Sequence, residues 1–427
     1  MIAKNNNFGM YQRVALIISS IIPFFIWGPF FPDLIVSVSS LVFVFLIIKE
    51  HNFRFLTVKP LILFFSFCVC CILSSILSEN ILFSLKSSLF YFRIGLFSCV
   101  IWYLIENDKS LLRYFYYVLI ICFSFLVIDG YTQFFLGENI FGMKISNPYN
   151  RISSLFGDEL IMGSYLSRLF PLLFALFIIK KKNKYEIYFI GILFILVDIL
   201  IFISGERTAF FFLNLSTIFI IIFIKEYQKF RIFTFIVAFF FIGAITLGGN
   251  SEYKNRMVFE PLKSIGIFAE TDKKYFFTLH HHNLFKVGLN MFYDKPLLGH
   301  GPKMFRVKCS DDKYDEGVHS CDTHPHNFYV QLLSETGILG FSFLFTAFCY
   351  VIYCSFKQFK SIIFKEKRFL TDYQVCLLAG ILITVWPLSP NGNFFNNWLS
   401  IIYSLPIGFY LHSIYGINKN KVLNVVS

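Results

Sequence analysis

The chain has 427 residues, of which 56% are hydrophobic and only 15% are charged, and its mean hydropathy is +0.65. A soluble domain of this length cannot bury so much apolar side-chain surface, so the composition excludes an ordinary water-soluble protein. The net charge of +12 does not indicate nucleic-acid binding, because most basic residues lie in the two termini and in alternate short loops between apolar segments, as the positive-inside rule requires of the cytoplasmic side.

Apolar stretches recur along the chain, each long enough to cross the core of a bilayer, and they predict an all-α polytopic membrane protein. The apolar runs are continuous rather than alternating, which favours a helical bundle over a β-barrel. We do not read the first stretch as a cleaved signal peptide, since no small-residue cleavage site follows it. We expect one membrane domain, residues 1–427, with both termini cytoplasmic. About twelve transmembrane helices are predicted, at residues 14–31, 33–48, 61–78, 85–105, 111–128, 160–179, 187–203, 208–224, 231–247, 329–356, 372–388 and 395–415.

The longest polar segment, residues 248–328, lies between the predicted helices 9 and 10 and is expected to form one large periplasmic loop. Apolar residues recur in it at near-helical spacing, which predicts an amphipathic helix near 280–293. Cys309 and Cys321 both fall in this loop, where an oxidising compartment permits a disulfide. The other eight cysteines lie in predicted spans and are expected to pack as small apolar residues.

Polar side chains are concentrated where this loop meets the next apolar segment, in the run Thr323–Gly340. Pro325 suits the first position of a helix, which predicts His326 in the exposed first turn. A helix N-terminus favours anions and keeps an imidazole neutral, so His326 suits a general base near an anionic leaving group. The other interpretation is an interfacial histidine satisfied by backbone groups. Candidate supporting residues are His324, Asn327 and Glu335.

Several arginines near the outer helix ends are candidates for binding a phosphate group. Arg207 lies in the Ser204–Thr208 connection, which is too short to leave the membrane surface, so its guanidinium can bind a phosphate there bidentately. A snorkelling arginine is the alternative. Arg151, Arg256 and Arg306 are further candidates, and for the last two the alternative is an ordinary solvated loop charge.

We predict no metal ion and no cofactor. His280, His281 and His282 are consecutive, and successive residues diverge around a helix, so the three cannot all face one ion. The acidic run 311–316 lacks the ligand spacing and central glycine of a calcium loop. The chain shows no glycine-rich phosphate loop or nucleotide fingerprint, which disfavours a nucleotide-sugar donor.

These motifs resemble the O-antigen ligase and O-antigen polymerase superfamily of bacterial membrane glycosyltransferases. The family signature has His, Asn or a similar residue, nine residues, Gly, two residues, and Gly or a similar residue. His326-Asn327, then the nine residues 328–336, then Gly337-Ile338-Leu339-Gly340 fit that register. Pro296–Gly301 and Ser204–Thr208 are similar to two further elements of the family, and the resemblance covers roughly residues 150–400.

The resemblance implies a fold of twelve spans and a metal-independent, inverting transfer from an undecaprenyl-diphosphate-linked glycan. In that scheme His326 activates the acceptor hydroxyl and Arg207 holds the donor diphosphate. A second arginine comes from the large loop, and both Arg256 and Arg306 are candidates for it; residues 280–282 stand near where many relatives have an arginine. The implied location is the bacterial inner membrane, with the active site facing the periplasm and with membrane lipids around the bundle.

Three acceptor classes are compatible with these motifs. An O-antigen ligase transfers the glycan to lipid A-core, an O-antigen polymerase transfers it to another lipid-linked repeat, and an oligosaccharyltransferase transfers it to protein. We expect a ligase, because the chain is short and shows no extra C-terminal domain. A lipid-linked glycan transporter or flippase is the alternative from another class, and the absence of a visible internal repeat disfavours it.

Overall fold

The computed structural model of the protein describes residues 30–145, 151–180, 182–248, 254–264 and 278–417. Within these ranges the fold is helical, and the extended pairing is limited to one isolated bridge between Glu138 and Lys144. Short 3₁₀ turns occur at Phe53–Phe55 and Ser154–Phe156, and a π-helical turn at Asn255–Phe259. The helices are α1 (Phe30–Lys49), α2 (Lys59–Ile76), α3 (Ile81–Ser88), α4 (Phe92–Asn107), α5 (Ser110–Leu136), α6 (Met162–Ile179), α7 (Lys184–Ile203), α8 (Arg207–Phe223), α9 (Gln228–Gly248), α10 (Glu260–Ser264), α11 (Leu279–Asp294), α12 (Phe305–Lys308), α13 (Phe328–Ile363), α14 (Asp372–Thr384) and α15 (Asn397–Tyr415).

Eight helical segments in the described part of the chain are long and apolar enough to cross a membrane. They are α1, α2, the nearly continuous α3 and α4, α5, α6, α7, α9 and α13, while α8 and α14 are apolar but shorter. The all-α, multi-pass membrane class predicted from the sequence is therefore confirmed. The predicted segment 14–31 lies almost wholly outside the described residues, and the total of twelve spans stays a prediction.

Helix α6 forms the centre of the bundle, since α5, α7, α8, α14 and α15 all pack against it. Almost every residue of α6 is buried. At the periphery, only 33% of α1 and 22% of α9 is buried, although both helices are apolar all round. Such exposed apolar surface suits contact with lipid tails, which solvate leucine and phenylalanine as well as a protein interior does.

Charged residues inside the predicted spans form ion pairs that join neighbouring helices. Arg231 of α9 donates from Nη1 to Asp198 of α7 at 2.9 Å, and both side chains are buried. Arg93 of α4 pairs in the same way with Asp33 of α1. Because a buried charge is costly unless it is paired and hydrogen-bonded, these contacts account for the unusual positions of these four residues.

The segment between α9 and α13 contains a small core of its own. Helix α11 packs against α13, and one cluster of buried side chains joins α11 to α12 and the following turn. Its members are Leu284, Val287, Met291, Phe305, Cys309 and Tyr314. Cys309 and Cys321 form a disulfide, which links α12 to the residues that lead into α13. The described residues from α11 onward are thereby joined to the bundle through α13.

The segment between α9 and α13, residues 249–327, is called the outer segment below. A break in α13 is the point where this segment joins the bundle. Gly337 has φ 63° and ψ −165°, a non-helical conformation inside the helix. The break leaves backbone groups without helical partners, and the Pro296–Gly301 turn supplies them. The amides of His300 and Gly301 donate to the carbonyls of Ser334 and Glu335, while those of Ile338 and Leu339 donate to the carbonyls of Pro296 and Leu297.

Replacing Gly337 by alanine should destabilise the protein strongly. A Cβ at this position would lie 2.3 Å from the carbonyl carbon and oxygen of Leu297, and the backbone conformation is one that only glycine adopts without strain. We expect a loss of at least about 3 kcal/mol, since strained backbone alone costs about 1–3 kcal/mol and the clash adds to it.

Thermal unfolding of the detergent-purified protein measures this loss. Gly243→Ala in α9 is the matched control, because a Cβ there meets nothing within 4 Å. The control should be as stable as the parent or slightly more stable, since alanine is the better helix former. A Gly337→Ala protein with the parent's unfolding temperature would contradict this role for the break.

Candidate active site

A cavity of about 660 Å³ lies beside the N-terminal ends of α6 and α8, below the outer segment. Its charged lining within the described residues consists of four arginines, Arg151, Arg168, Arg207 and Arg256, and one carboxylate, Glu206. His281 and His326 also line it. The excess of guanidinium groups gives the lining a positive charge, which suits an anionic ligand. The apolar part of the wall includes Leu160, Ile161, Phe211, Phe212 and Leu388.

Glu206 holds the connection between α7 and α8 against the start of α6. Its carboxylate accepts hydrogen bonds from the backbone amides of Gly163 and Ser164 at 2.6 and 2.9 Å, and from the Ser164 hydroxyl at 2.9 Å. Burial raises the pKa of Glu206, while Arg151, 3.9 Å away, and the Gly163 and Ser164 donors favour the carboxylate. A negative group at a helix N-terminus is stabilised by the helix dipole, so Glu206 fixes the shape of the connection.

Two of the arginines are anchored on backbone carbonyls of this connection. Arg151 donates from Nε to the carbonyl of Ser204 at 3.3 Å, and Arg256 donates from Nε to the carbonyl of Gly205 at 2.8 Å. These carbonyls follow the last residue of α7, where the helix dipole favours positive charge. The local structure therefore brings together two arginines that lie about a hundred residues apart in the sequence.

Arg207 begins α8 on the same side of the cavity. Its Nη1 lies 3.4 Å from the carboxylate of Glu260, and its side chain is about one third exposed. The Glu260 carboxylate is 56% exposed, and such pairs contribute little because water screens them. An anionic ligand can therefore replace Glu260 at this guanidinium with a small loss of energy.

Arg168 has a structural position at the buried end of the cavity. Its guanidinium lies between the rings of Phe212 and Tyr403, 4.3 Å from each centroid. Nη1 donates to the carbonyl of Ile383 at 2.7 Å, and Nη2 donates to Oδ1 of Asn391 at 2.9 Å. These bonds fix the loop between α14 and α15 against α6.

The sequence predicts His326 in the first turn of a helix, but in the structure His326 lies before the helix begins. Helix α13 begins two residues later, at Phe328, because the Asn327 side chain accepts the amides of Tyr329 and Val330 and so takes the capping position. His326 has φ 53° and precedes the cap. Pro325 is therefore outside the helix as well, and the prediction of a helical start at Pro325 is wrong.

Asp322 orients the ring of His326. Nε2 of His326 lies 3.1 Å from Oδ2 of Asp322. Partial burial raises the pKa of Asp322, but the Thr323 amide and His326 outweigh it, so the net pKa is lowered and the group is a carboxylate. A carboxylate only accepts, which assigns the proton to Nε2 and leaves Nδ1 of His326 with its lone pair.

Asn391, in the loop between α14 and α15, connects both histidines to Arg168. The backbone amide of Asn391 donates to the backbone carbonyl of His326 at 2.7 Å, and the backbone carbonyl of Asn391 accepts from Nε2 of His324 at 3.3 Å. Nδ1 of His324 accepts from the Thr323 hydroxyl at 2.8 Å. Burial, with a smaller effect of His326, lowers the pKa of His324 to about 3, so this ring is neutral near pH 7.

His281 is the second histidine in the cavity wall. Its ring centroid lies 5.4 Å from that of His326. Burial is the main reason that the pKa of His281 is lowered to about 4, and the nearby His326, His280 and Arg207 lower it further. His281 is therefore also neutral near pH 7 and adds no charge to the site.

The remaining candidates from the sequence lie outside the cavity. Arg306 is exposed on α12. Glu335 is buried in α13 and accepts from the amide of Phe305 at 3.1 Å and from Gln331 at 3.0 Å, so it joins the outer segment to the bundle. Asn327 donates from its side chain to the carbonyls of Pro387 and Ser389 besides capping α13. Cys309 and Cys321 form the disulfide described above.

A family model described as O-antigen ligase matches residues 189–345, from α7 to the first part of α13. The matched segment contains Arg207, Arg256 and His326, three of the residues that line the cavity. The resemblance to the O-antigen ligase and polymerase superfamily is confirmed by this match. No curated protein matches the chain.

Replacing Gly205 by alanine should weaken anion binding in the cavity. Gly205 has φ 72°, and a Cβ there would approach Cδ and Nε of Arg256 to 3.1 and 3.2 Å and Cγ of Arg151 to 3.4 Å. The Arg256 side chain must then shift, and the Arg151 side chain is left in close contact with the new methyl group, so we expect about tenfold weaker binding of pyrophosphate, equivalent to about 1.4 kcal/mol.

Gly142→Ala is the matched control, because Gly142 has a similar φ of 78° but no atom within 4 Å of its Cβ position. It reproduces the backbone strain without moving an arginine. Calorimetric titration of pyrophosphate into the purified variants tests the difference. Equal affinities for the two variants would show that the arginine positions do not depend on this glycine.

Proposed function

We propose that this chain, whose residues 189–345 belong to the O-antigen ligase and polymerase superfamily, transfers a glycan from undecaprenyl diphosphate to a hydroxyl group of lipid A-core. The observation that carries the proposal is the meeting of the His326 imidazole with several guanidinium groups around one cavity. His326 comes from the segment before α13, Arg207 from the start of α8 and Arg256 from the outer segment. A transfer reaction with a diphosphate leaving group needs these two kinds of group together.

The donor diphosphate is proposed to bind among Arg151, Arg207 and Arg256. Arginine binds phosphate oxygens bidentately, and these charge-assisted hydrogen bonds are about twice as strong as neutral ones. The first turn of α8 adds backbone amides, for which the capping residue Glu206 offers no side-chain hydrogen bond. Contacts that strengthen as charge develops on the departing diphosphate lower the barrier to transfer.

His326 is proposed to act as the general base. Its Nδ1 takes the proton of the acceptor hydroxyl as the oxygen attacks the anomeric carbon. Asp322, hydrogen-bonded to Nε2, orients the ring and stabilises the imidazolium that forms. General-base catalysis of this kind contributes about 10²–10⁴-fold to a rate.

The proposed reaction is a single displacement that inverts the anomeric centre. The acceptor oxygen forms its bond from the face opposite the diphosphate, and the bond between the anomeric carbon and the phosphate oxygen breaks. The electron pair leaves with undecaprenyl diphosphate, and the arginines stabilise the negative charge that develops on it. The proton on His326 then passes to solvent or to the diphosphate. No covalent intermediate and no metal ion are required.

The site is proposed to face the periplasm from the bacterial inner membrane, with the twelve predicted spans placing both termini in the cytoplasm. Two observations support this side. The disulfide between Cys309 and Cys321 requires an oxidising compartment, and it lies in the outer segment that contributes Arg256 and His326. The termini and short loops assigned to the opposite side hold most of the lysines. The polyprenyl tail of the donor remains in the surrounding lipid.

Replacing His326 by alanine should abolish glycan transfer. We expect at least about a 10²-fold loss of rate, because the acceptor hydroxyl loses its proton acceptor. Transfer is measured with purified protein, lipid-linked donor and lipid A-core acceptor. The control is His319→Ala, which removes an exposed histidine of the same segment.

Translocation of lipid-linked repeats is measured in parallel in cells. It should be unaffected by His326→Ala. A variant that transfers glycan normally but blocks translocation would contradict the enzyme and support a transporter.

The two loop arginines should differ in their effect. Arg256→Ala removes a charge-assisted contact worth about 1.5–3 kcal/mol and should raise the donor KM or lower the rate by about 10- to 150-fold. Arg306→Ala should change either constant by less than about twofold, since the contribution of an exposed charge is screened by water. The reverse order would show that the second diphosphate ligand is Arg306.

Deletion of the gene, followed by gel analysis of lipopolysaccharide, tests the acceptor. A ligase predicts that all ladders disappear from lipopolysaccharide while lipid-linked polymer accumulates. A polymerase would instead leave lipopolysaccharide capped with a single repeat, and that pattern would overturn lipid A-core as the acceptor. A protein-directed transferase would leave both patterns unchanged and remove glycan from protein.

A further inference from the structure

Three possible metal ligands from two separate segments converge beside the cavity. His280 lies in the first turn of α11, while Asp322 and His326 belong to the residues that lead into α13. One ligand atom from each of these residues lies within 4.8 Å of the others. Oδ2 of Asp322 is 3.7 Å from Nε2 of His280 and 3.1 Å from Nε2 of His326.

These separations suit one small ion. Zinc binds histidine nitrogen and carboxylate oxygen at about 2.0–2.2 Å, so two ligands of a tetrahedral ion lie about 3.3 Å apart. The separations from Asp322, 3.1 and 3.7 Å, fall on either side of that value. The ligand atoms of His280 and His326 lie within 4.8 Å of each other, so these side-chain ends must approach by at most about 1.5 Å to surround the ion.

The ring of His280 is held in the tautomer that binds a metal. Its Nδ1 lies 3.2 Å from the carbonyl of His319, and because a carbonyl only accepts, Nδ1 carries the proton. Nε2 then has a lone pair directed to the side of Asp322. Metal-binding histidines in proteins are usually oriented in this way, by a hydrogen bond from the other ring nitrogen to a carbonyl or carboxylate.

Asp322 is held near both histidines by its covalent neighbour. Cys321 is bonded to Cys309, whose side chain is buried in the small core below α11. The disulfide thus fixes the carboxylate relative to the helix that carries His280. Of the three consecutive histidines, His280 is the one that takes part in this cluster, and its partners come from the other segment.

We propose that His280, Asp322 and His326 bind one divalent transition-metal ion of the zinc class, and that the bound ion silences His326. Two imidazoles and one carboxylate favour zinc and its neighbours, whereas magnesium and calcium prefer an all-oxygen set. Three protein ligands leave a coordination position for water.

The silencing rests on the proposed role of His326 as general base, whereas metal binding itself does not. A metal bound at Nε2 of His326 takes the place of the Nε2 proton, which now forms the hydrogen bond to Asp322. The neutral ring then carries its one proton on Nδ1, supplied through water, with no net release. Nδ1 has no lone pair left for the acceptor hydroxyl, so the metal-bound enzyme cannot start the transfer.

Direct metal binding is the first test. Tag-free protein in nanodiscs is treated with EDTA, exchanged into metal-free buffer and titrated with Zn²⁺ against a fluorescent zinc indicator, and with Co²⁺ to record ligand-field absorption. We expect about one ion per chain. His280→Ala should weaken binding at least about tenfold and remove the cobalt spectrum, whereas His282→Ala should leave both unchanged.

Two results would overturn the site: parent and His280→Ala proteins that bind Zn²⁺ equally, or a loss of binding with His282→Ala as large as with His280→Ala. Because neither readout involves glycan transfer, a failed enzyme assay cannot be confused with a failed metal site.

Inhibition of transfer is the second test. Micromolar Zn²⁺ should stop transfer by the parent protein, EDTA should restore it, and Mg²⁺ at the same concentration should have no effect. His280→Ala should transfer without added metal and should resist Zn²⁺ at least about tenfold better than the parent. Parent and His280→Ala proteins with the same sensitivity to Zn²⁺ would overturn the silencing while leaving the binding result to stand on its own.

Discussion

Four backbone hydrogen bonds connect the Pro296–Gly301 turn to the break in α13, and together with the packing of α11 on α13 they position the described part of the outer segment. A continuous helix would have no amide or carbonyl to offer at this depth, since each would be used within the helix. The break at Gly337 frees amides and carbonyls of α13, and the turn forms hydrogen bonds with both kinds of group. The first glycine of the signature, Gly337, is therefore explained by backbone geometry, while the histidine of the same signature reaches the cavity because this junction holds the segment in place.

Three arginines of the cavity are oriented by backbone carbonyls. Arg151 and Arg256 are anchored on carbonyls at the end of α7, and Arg168 on a carbonyl at the end of α14. A carbonyl orients a guanidinium without adding the full negative charge of a carboxylate, and the lining holds four arginines but one carboxylate, Glu206, among the described residues. Glu206, the carboxylate in the lining, is itself occupied at the start of α6. The result is a positively charged cavity, which under the proposed function would stabilise the donor diphosphate and the charge of the transition state.

The helices that follow the first segment could be predicted from the sequence because each is a continuous apolar run. The helix start that Pro325 predicts is wrong, because the side chain of Asn327 caps the N-terminus of α13 and the helix begins at Phe328. The partners of His326 were not predicted. Asp322 is only four residues from His326, but the two side chains meet because the chain turns between them. Asn391 lies in the Pro- and Asn-rich loop after α14, and the sequence of that loop does not indicate which residues it contacts. A choice between Arg256 and Arg306 was equally impossible, since both are basic residues of one loop and differ in which surface they face.

The most direct test of the account is the position of the donor's phosphates. A cryo-electron microscopy structure of the protein in nanodiscs with undecaprenyl diphosphate should show both phosphates in the cavity, with oxygens within about 3.2 Å of the guanidinium groups of Arg207 and Arg256 and with His326 facing the adjacent space. Phosphates bound outside this cavity, or bound there with His326 on the far side of the protein, would contradict the proposed glycosyl transfer.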